Sequence, residues 1–396
     1  MPTEKIIVLG IINDKNSTVM AGIYIHIPFC KTRCVYCDFY STTRSELKSR
    51  YIRALCRELA ERKGYLRGET VQTVYFGGGT PSQLSEEDFR EVFGTIERVY
   101  GLQHATEITL EANPDDLTDA YVGMLATLPF NRISMGIQTF DDATLRLLHR
   151  RHDAAQAVEA VARCRRAGFR NISIDLIYGL PGETDEHWLH DLQQAVGLAP
   201  EHVSAYHLTY EPGTPLHRML QAHRVSEVDE ESSLRFFSAL TETLTAAGYE
   251  HYEISNFCKP GMHSRHNTSY WQGVPYLGCG PSAHSFDIRT REWNVASLEK
   301  YILSVEAGSR DFEAERLGTS TRYNECLMTG LRTTWGVSMP YVKQTFGTRL
   351  WQYAMDMALP HLDSGKLELR DGRLRLTREG IFTSDDIISD LMFVEE

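Results

Sequence analysis

The stretch Ile25-His26-Ile27-Pro28-Phe29-Cys30-Lys31-Thr32-Arg33-Cys34-Val35-Tyr36-Cys37-Asp38-Phe39 sets three cysteines on one short loop, spaced C-x3-C-x2-C, directly after an apolar, strand-like run. Three thiolates so placed can hold three irons of a cubane iron–sulfur cluster, which ordinarily takes four cysteines. The missing fourth ligand leaves one iron open to another molecule, which points to chemistry rather than electron storage. The competing reading is three buried or disulfide-bonded cysteines. Eight cysteines in 396 residues, without pairing spacings beyond the triplet, fit a reducing compartment. Cys56, Cys164, Cys258, Cys279 and Cys326 read as small buried hydrophobes.

Outward from this loop, a strand–helix rhythm fills the first half of the chain. Strands are predicted at Gly22–Ile27, Thr73–Phe76, Glu107–Glu111, Arg132–Gly136, Asn171–Ile177 and His202–His207. Helices are predicted at Ser45–Lys63, Ser85–Val99, Thr118–Leu128, Asp142–His149, Ala154–Ala167 and Asp185–Gly197. Ser85-Glu86-Glu87-Asp88 is close to a capping box, and Gly168 stands where a helix-ending glycine would. Six strands alternating with helices predict parallel pairing in an open, partial (β/α)6 TIM-like barrel. Ligands in such sheets gather at the carboxyl ends of the strands. The cysteine loop, Gly77-Gly78-Gly79-Thr80-Pro81, Glu111, Gln138 and Asp175 all fall at or near those ends. The glycines let backbone approach a ligand, and the residues after them are not the Lys-Ser/Thr of a nucleotide-binding P-loop.

Beyond about Thr214 the rhythm changes. Glu227–Ala247 reads as one long amphipathic helix, and Gly248–Phe286 as a loop-rich aromatic segment. Tyr323–Leu331 and Met339–Phe346 read as helices, and 366–376 as two strands about an Asp-Gly turn. This winged-helix-like α+β pattern invites a DNA-binding reading. A net charge of −12 speaks against it and for a docking or lid module. Arg146, Arg150 and Arg151, then Arg163, Arg165 and Arg166, read as solvated helix faces. The expected divisions are an N-terminal extension at 1–20, a barrel at 21–215, a helical and loop extension at 216–290 and a C-terminal domain at 291–396. No apolar run of about 18 residues predicts a membrane span, and the start lacks a signal-peptide pattern. A cytoplasmic protein is expected, reaching a membrane only transiently through a partner.

The cysteine triplet with Tyr36 before Cys37, followed by Gly-Gly-Gly-Thr-Pro, resembles the radical S-adenosylmethionine (SAM) superfamily. The resemblance implies a [4Fe-4S] cluster on Cys30, Cys34 and Cys37, whose open iron chelates SAM and reduces its sulfonium to methionine and a 5′-deoxyadenosyl radical. It implies SAM contacts from Tyr24, Tyr36, Gly78, Gly79, Thr80, Glu111, Gln138, Arg150 and Asp175. Glu111 would face the ammonium and Arg150 the carboxylate; Gln138 and Asp175 would face the ribose. Each has a plainer reading, as a surface carboxylate, a solvated arginine or a tight turn. His26 reads either as near the cluster or as a packed strand residue.

Over residues 21–390 the resemblance is closest to the coproporphyrinogen-III-oxidase-like branch, with its HemN-like C-terminal domain. The oxygen-independent oxidases there carry a further cysteine two residues after the triplet, where this chain has Phe39. The haem-chaperone group of the branch has Cys-Asp-Phe, as here. His266-Asn267-Thr268-Ser269-Tyr270-Trp271 matches the H-N-x-x-Y-W motif associated with haem in that group. A neutral imidazole is a good axial ligand, and the tyrosine and tryptophan supply flat apolar faces, continued by Pro275, Tyr276 and Leu277. Tyr270 or His263 could ligate instead, or His266 could cap a loop while the aromatics fill the barrel mouth. The resemblance implies haem as cargo, respiratory-type haemoproteins as acceptors, a flavodoxin or ferredoxin as electron donor and a homodimer; the acidic net charge predicts no nucleic-acid partner. The alternative is a true coproporphyrinogen oxidase that decarboxylates propionates; a third is another radical enzyme.

Overall fold

The computed structural model describes residues 20–394, so all of the expected N-terminal extension except Met20 lies outside the described residues. Six parallel strands pair in chain order: β1 (Met20–Ile27), β2 (Thr70–Gly78), β3 (Glu107–Ala112), β4 (Arg132–Gln138), β5 (Ile172–Tyr178) and β6 (His202–His207). The crossovers hold α1 (Lys48–Glu61), α2 (Glu86–Tyr100), α3 (Asp119–Leu125), α4 (Asp142–Leu147), α5 (Ala154–Arg166) and α6 (Asp185–Leu198). Alternation along each strand divides its side chains between two faces. Ile23, Ile25, Val74, Phe76, Ile108, Leu110, Ile133, Met135, Ile172 and Ile174 share a core with Leu55, Phe89, Trp188 and Leu192 of the helices. The intervening residues are polar: Tyr24, Thr73, Tyr75, Thr109, Glu111, Arg132, Ser134, Ser173, Asp175, His202 and Ser204. The result is a partial barrel whose inner face is chemical rather than greasy.

The helix boundaries follow local chemistry. Ser85 and Asp88 cap α2 reciprocally, Ser85 N–H donating to Asp88 Oδ2 at 2.9 Å and Asp88 N–H to Ser85 Oγ at 3.3 Å. Asp153 and Gln156 do the same for α5. Gly168 follows α5 at φ +100°.

After β6 come α7 (Pro215–Gln221) and α8 (Glu230–Ala246). The segment expected to be loop-rich is instead largely ordered into β7 (Glu250–Glu253), β8 (Asn256–Cys258), α9 (Arg265–Trp271), β9 (Tyr276–Cys279) and β10 (His284–Phe286). With β11 (Thr290–Asn294) and β12 (Phe312–Arg316) they extend the sheet to the order β12-β11-β10-β9-β1-β2-β3-β4-β5-β6-β8-β7. Strands of three to five residues are too short to show a period of two, which is why the sequence hides them.

The main sheet therefore runs on to Arg316, and a second core begins at Tyr323. That core joins Tyr323, Leu327, Val342, Leu350, Ala354, Leu374 and Ile387. It is built from helices Thr319–Leu331 and Met339–Asp363, the latter kinked at Gly347 (φ 90°, ψ 170°). The hairpin of Leu367–Arg370 and Arg373–Leu376 turns at Asp371 and Gly372, with φ 53° and 70°. Two successive positive φ values are what a two-residue hairpin turn requires.

Candidate functional site

Pro28 and Phe29 carry the chain from β1 to Cys30. The cysteine loop is closed at its base by Cys30 N–H to Thr42 O at 2.9 Å and Thr42 N–H to Pro28 O at 2.7 Å. Its far side is docked by Val35 N–H to Leu148 O at 3.3 Å and Leu216 N–H to Val35 O at 2.9 Å. Val35 packs there with Leu148, Ile177, Leu180, Leu208 and Leu216, and half-buried Tyr36 rests against them. Cys30, Cys34 and Cys37 are free, half-buried thiols. Burial pushes Cys37 up to about 11, and the neighbouring Cys34 and Cys30 sulfurs add to the shift. Cys30 is raised too, again chiefly by burial. Thr80 Oγ1 donates to Cys30 Sγ at 3.3 Å, and Arg150 Nη1 to Cys34 Sγ at 3.4 Å. Three thiols on one short loop, with donors already aimed at two of the sulfurs, suit a shared metal core. The donor set fits a [4Fe-4S] cluster held at three irons.

The glycine run lies directly against this loop. Gly78 has φ +105°, and a Cβ there would stand 2.7 Å from the His26 ring. A Cβ on Gly79 would stand 2.9 Å from the Pro28 carbonyl carbon, while its N–H donates to Ile27 O at 2.8 Å. Glu111 accepts from Tyr75 Oη at 2.7 Å and from Gly78 N–H at 3.1 Å. Loss of water raises its carboxyl to about 7, against those two bonds. Asp175 accepts from Ser134 Oγ at 3.4 Å and is raised to about 6, again by burial first. Gln138 stands at φ +74° on a bulge in the β4–β5 register. Its Nε2 would lie 2.8 Å from a Cβ on Gly136, and Arg150 Nη2 3.3 Å, so only glycine lets both side chains close over that strand.

Arg150 is thus part of the site and not a solvated helix face. Its Nη2 donates to Asn113 Oδ1 at 2.8 Å and to Gly136 O, and its buried Nε has no partner among the described residues. Arg151 is tied to Asp115 and Asp116 at 2.6 and 3.2 Å. Tyr24 Oη meets His26 Nδ1 at 3.1 Å, and its ring stacks on Tyr75 at 6.2 Å. Burial holds the His26 imidazole down at about 4. Three residues of this surrounding were missed from sequence. Asn113, in an Asn-Pro step just past β3, carried a turn signal that could have found it. Tyr75 and the fully buried Arg132, whose Nε and Nη1 have no partner among the described residues, carried none.

The H-N-x-x-Y-W motif lies at the other end of the strands, not at the mouth. It occupies α9, whose first N–H groups are held by Glu107 at the start of β3: Arg265 N–H at 2.8 Å and His266 N–H at 2.9 Å. His266 is 0 % exposed. Its Nδ1 is 2.7 Å from Thr73 Oγ1, its Nε2 is 2.7 Å from Tyr270 Oη, and its ring stacks on Tyr75 at 5.1 Å. Burial pushes the imidazole down to about 3, so it is neutral. Neither ring nitrogen faces open space; in this conformation His266 is a strut, not the open axial ligand expected. Tyr270 packs edge-on against Tyr276 at 4.6 Å. Trp271 lies 5.6 Å from the Arg332 guanidinium, its Nε1 without a partner among the described residues, and Asn267 is half-buried. Tyr75 touches both ends, donating to Glu111 and stacking on His266.

Fold and sulfur-lined site together define a radical SAM protein. The model of the radical SAM superfamily matches residues 24–195, and that of the HemN C-terminal domain residues 320–383. The superfamily implies a [4Fe-4S] cluster and SAM. The heme chaperone HemW of Bacillus subtilis is 34% identical over 371 residues, covering 93% of this chain and 98% of that one. HemW of Mycobacterium tuberculosis is 32% identical over 376 residues, covering 94% of each. The chain belongs to the HemW family. Among solved structures, the coproporphyrinogen III oxidase HemN of Escherichia coli superposes with a TM-score of 0.83 at 22% identity, over 94% of this chain and 90% of that one, a likeness of fold.

Proposed function

We propose that this protein is a haem chaperone, which binds haem and delivers it to acceptor haemoproteins with the help of a [4Fe-4S] cluster and SAM. The observation that carries the reading is the likeness to proteins named heme chaperone over almost their whole length. Phe39, 69% exposed, supports it, standing where the oxidase pattern has a further cysteine. Cys30, Cys34 and Cys37 would hold the cluster, which would supply the electron needed to reduce the sulfonium of SAM. Glu111 and the Gly78–Gly79 backbone would take the SAM ammonium, the free Nε of Arg150 its carboxylate, and Gln138 and Asp175 its ribose hydroxyls. Tyr24, Tyr36 and Thr80 would complete the wall. Respiratory-type acceptors, a flavodoxin or ferredoxin donor, a homodimer and a cytoplasmic home belong to the same proposal. No helix among the described residues is long and apolar enough to cross a membrane.

Haem contact is assigned to Asn267, Tyr270, Trp271 and His266. Ligation by His266 requires its imidazole to give up the bond to Thr73 or the bond to Tyr270 within α9. The protein, reconstituted without air, is therefore titrated with haem, mixed with an apo-haemoprotein, and separately incubated with coproporphyrinogen III, SAM and a reductant. Haem binding and transfer without porphyrinogen turnover is expected. Stoichiometric protoporphyrinogen IX would overturn the chaperone reading. His266→Ala is expected to shift the haem spectrum; an unchanged spectrum at an unchanged fold removes the ligand assignment.

A further inference from the structure

β7 and β8 form a hairpin in which Glu250 pairs directly with Cys258. Residues paired across an antiparallel ladder share a face, with Cβ atoms about 5 Å apart. The chain turns at once after Cys258. Pro260 and Gly261 (φ +76°) take the central positions of a turn closed by Met262 N–H to Lys259 O at 2.9 Å. This short loop brings His263 back onto the hairpin. A sulfur, an imidazole nitrogen and a carboxylate oxygen from Cys258, His263 and Glu250 then all lie within 4.8 Å of one another. His263 Nε2 and Glu250 Oε2 are 3.5 Å apart.

That geometry is close to one face of a tetrahedral metal site. Zinc with sulfur at about 2.3 Å and nitrogen or oxygen at about 2.0–2.1 Å spaces its ligands roughly 3.3–3.7 Å apart. Side-chain adjustment of about 1 Å closes the difference. Met262 N–H faces the Cys258 sulfur, the kind of supporting donor that steadies a metal thiolate. Access is one-sided: Cys258 is 0% exposed, whereas the side chains of His263 and Glu250 are 29% and 49% exposed. One thiolate, one imidazole and one carboxylate suit zinc better than a magnesium-type site, which takes oxygen alone.

We propose that Cys258, His263 and Glu250 bind one zinc ion, with its fourth position open to water on the solvent side. The site is separate from the cluster loop and does not depend on the haem reading. Its place suggests a pin. His263 stands at the entrance to α9, its ring 4.7 Å from Tyr252 and 5.6 Å from Trp335, and Thr334 N–H donates to Tyr252 O at 3.0 Å. Metal there would fasten the hairpin, the approach to α9 and the C-terminal unit at one point.

The test uses two preparations. Full-length protein with Cys30, Cys34 and Cys37 changed to alanine is stripped with chelator and titrated with Co2+, then Zn2+. One equivalent of Co2+ with a sulfur-to-cobalt charge-transfer band is expected, displaced by Zn2+ and lost in Cys258→Ser. His263→Ala and Glu250→Gln should each weaken binding by more than the about 10–100-fold that loss of a merely supporting partner costs. Cluster-loaded wild type should retain one zinc per chain by elemental analysis, and the folded His263→Ala variant none. No charge-transfer band at one equivalent, a band that survives Cys258→Ser, or no zinc in the cluster-loaded protein would each overturn the proposal.

Discussion

Glu111 receives hydrogen bonds from Tyr75 and Gly78, yet its carboxyl is raised from 4.5 to about 7 because the surrounding wall keeps water away. Two consequences run in opposite directions with pH. As an acceptor for an ammonium group it must be charged, so SAM affinity should be level above about pH 7 and fall below it; Glu111→Gln should bind weakly without that slope. For stability the folded state keeps a proton that the unfolded chain has lost between pH 4.5 and about 7. Across that window rising pH therefore removes stability. Asp175, raised from 3.8 to about 6, adds the same sign in its own window. Thermal melts of wild type and Glu111→Gln across pH 4–8 check this, a shallower decline being expected in the variant. Equal slopes would mean that Glu111 titrates normally.

At the scale of single elements, β9 is tightly constrained. A Cβ on Gly278 would stand 1.9 Å from the carbonyl oxygen of His284, and backbone cannot step aside as a side-chain tip can. Gly278→Ala should cost at least about 1–3 kcal/mol, read as a lower denaturant midpoint with an unchanged slope. A loss under about 0.5 kcal/mol would show that the β9–β10 approach is looser than described. Such a place was not legible beforehand. β1 to β6 and their helices could be read because apolar and polar positions alternate over seven or so residues of the strands and every helix but α1 has an explicit side-chain N-cap. That the candidate site residues gather at the strand ends could be read for the same reason; their roles toward SAM, that of Arg150 included, rest on the family resemblance. The edge strands were too short for any period. The position of α9 depends on Glu107, far away in sequence, reaching its N–H groups, so the end of the barrel that the aromatic motif occupies had no local signal.

Across the whole molecule one buried carboxylate joins early and late sequence. Glu58 of α1 accepts from Gly280 N–H at 2.9 Å, Asn294 Nδ2 at 2.8 Å and Tyr301 Oη at 2.7 Å, with Arg62 at 3.4 Å. Glu58→Ala would strand those donors and leave the Arg62 guanidinium with Glu292 as its nearest counter-charge. A loss of about 3–5 kcal/mol is expected, and hydrogen exchange should show β9 to β11 opening with it; protection unchanged there would refute the assignment. The same wiring bears on synthesis. The run β1 to β6 is complete in sequence at His207, yet its two borders are covered only later, β6 by antiparallel β8 and β1 by parallel β9. A ribosome-bound chain that has emerged no further than β6 carries bare strand borders on both sides, each able to recruit a stranger. Safe maturation of the N-terminal half therefore waits on translation of Cys258 and Cys279, and a pause in between is the moment at which this chain is most exposed to co-translational aggregation.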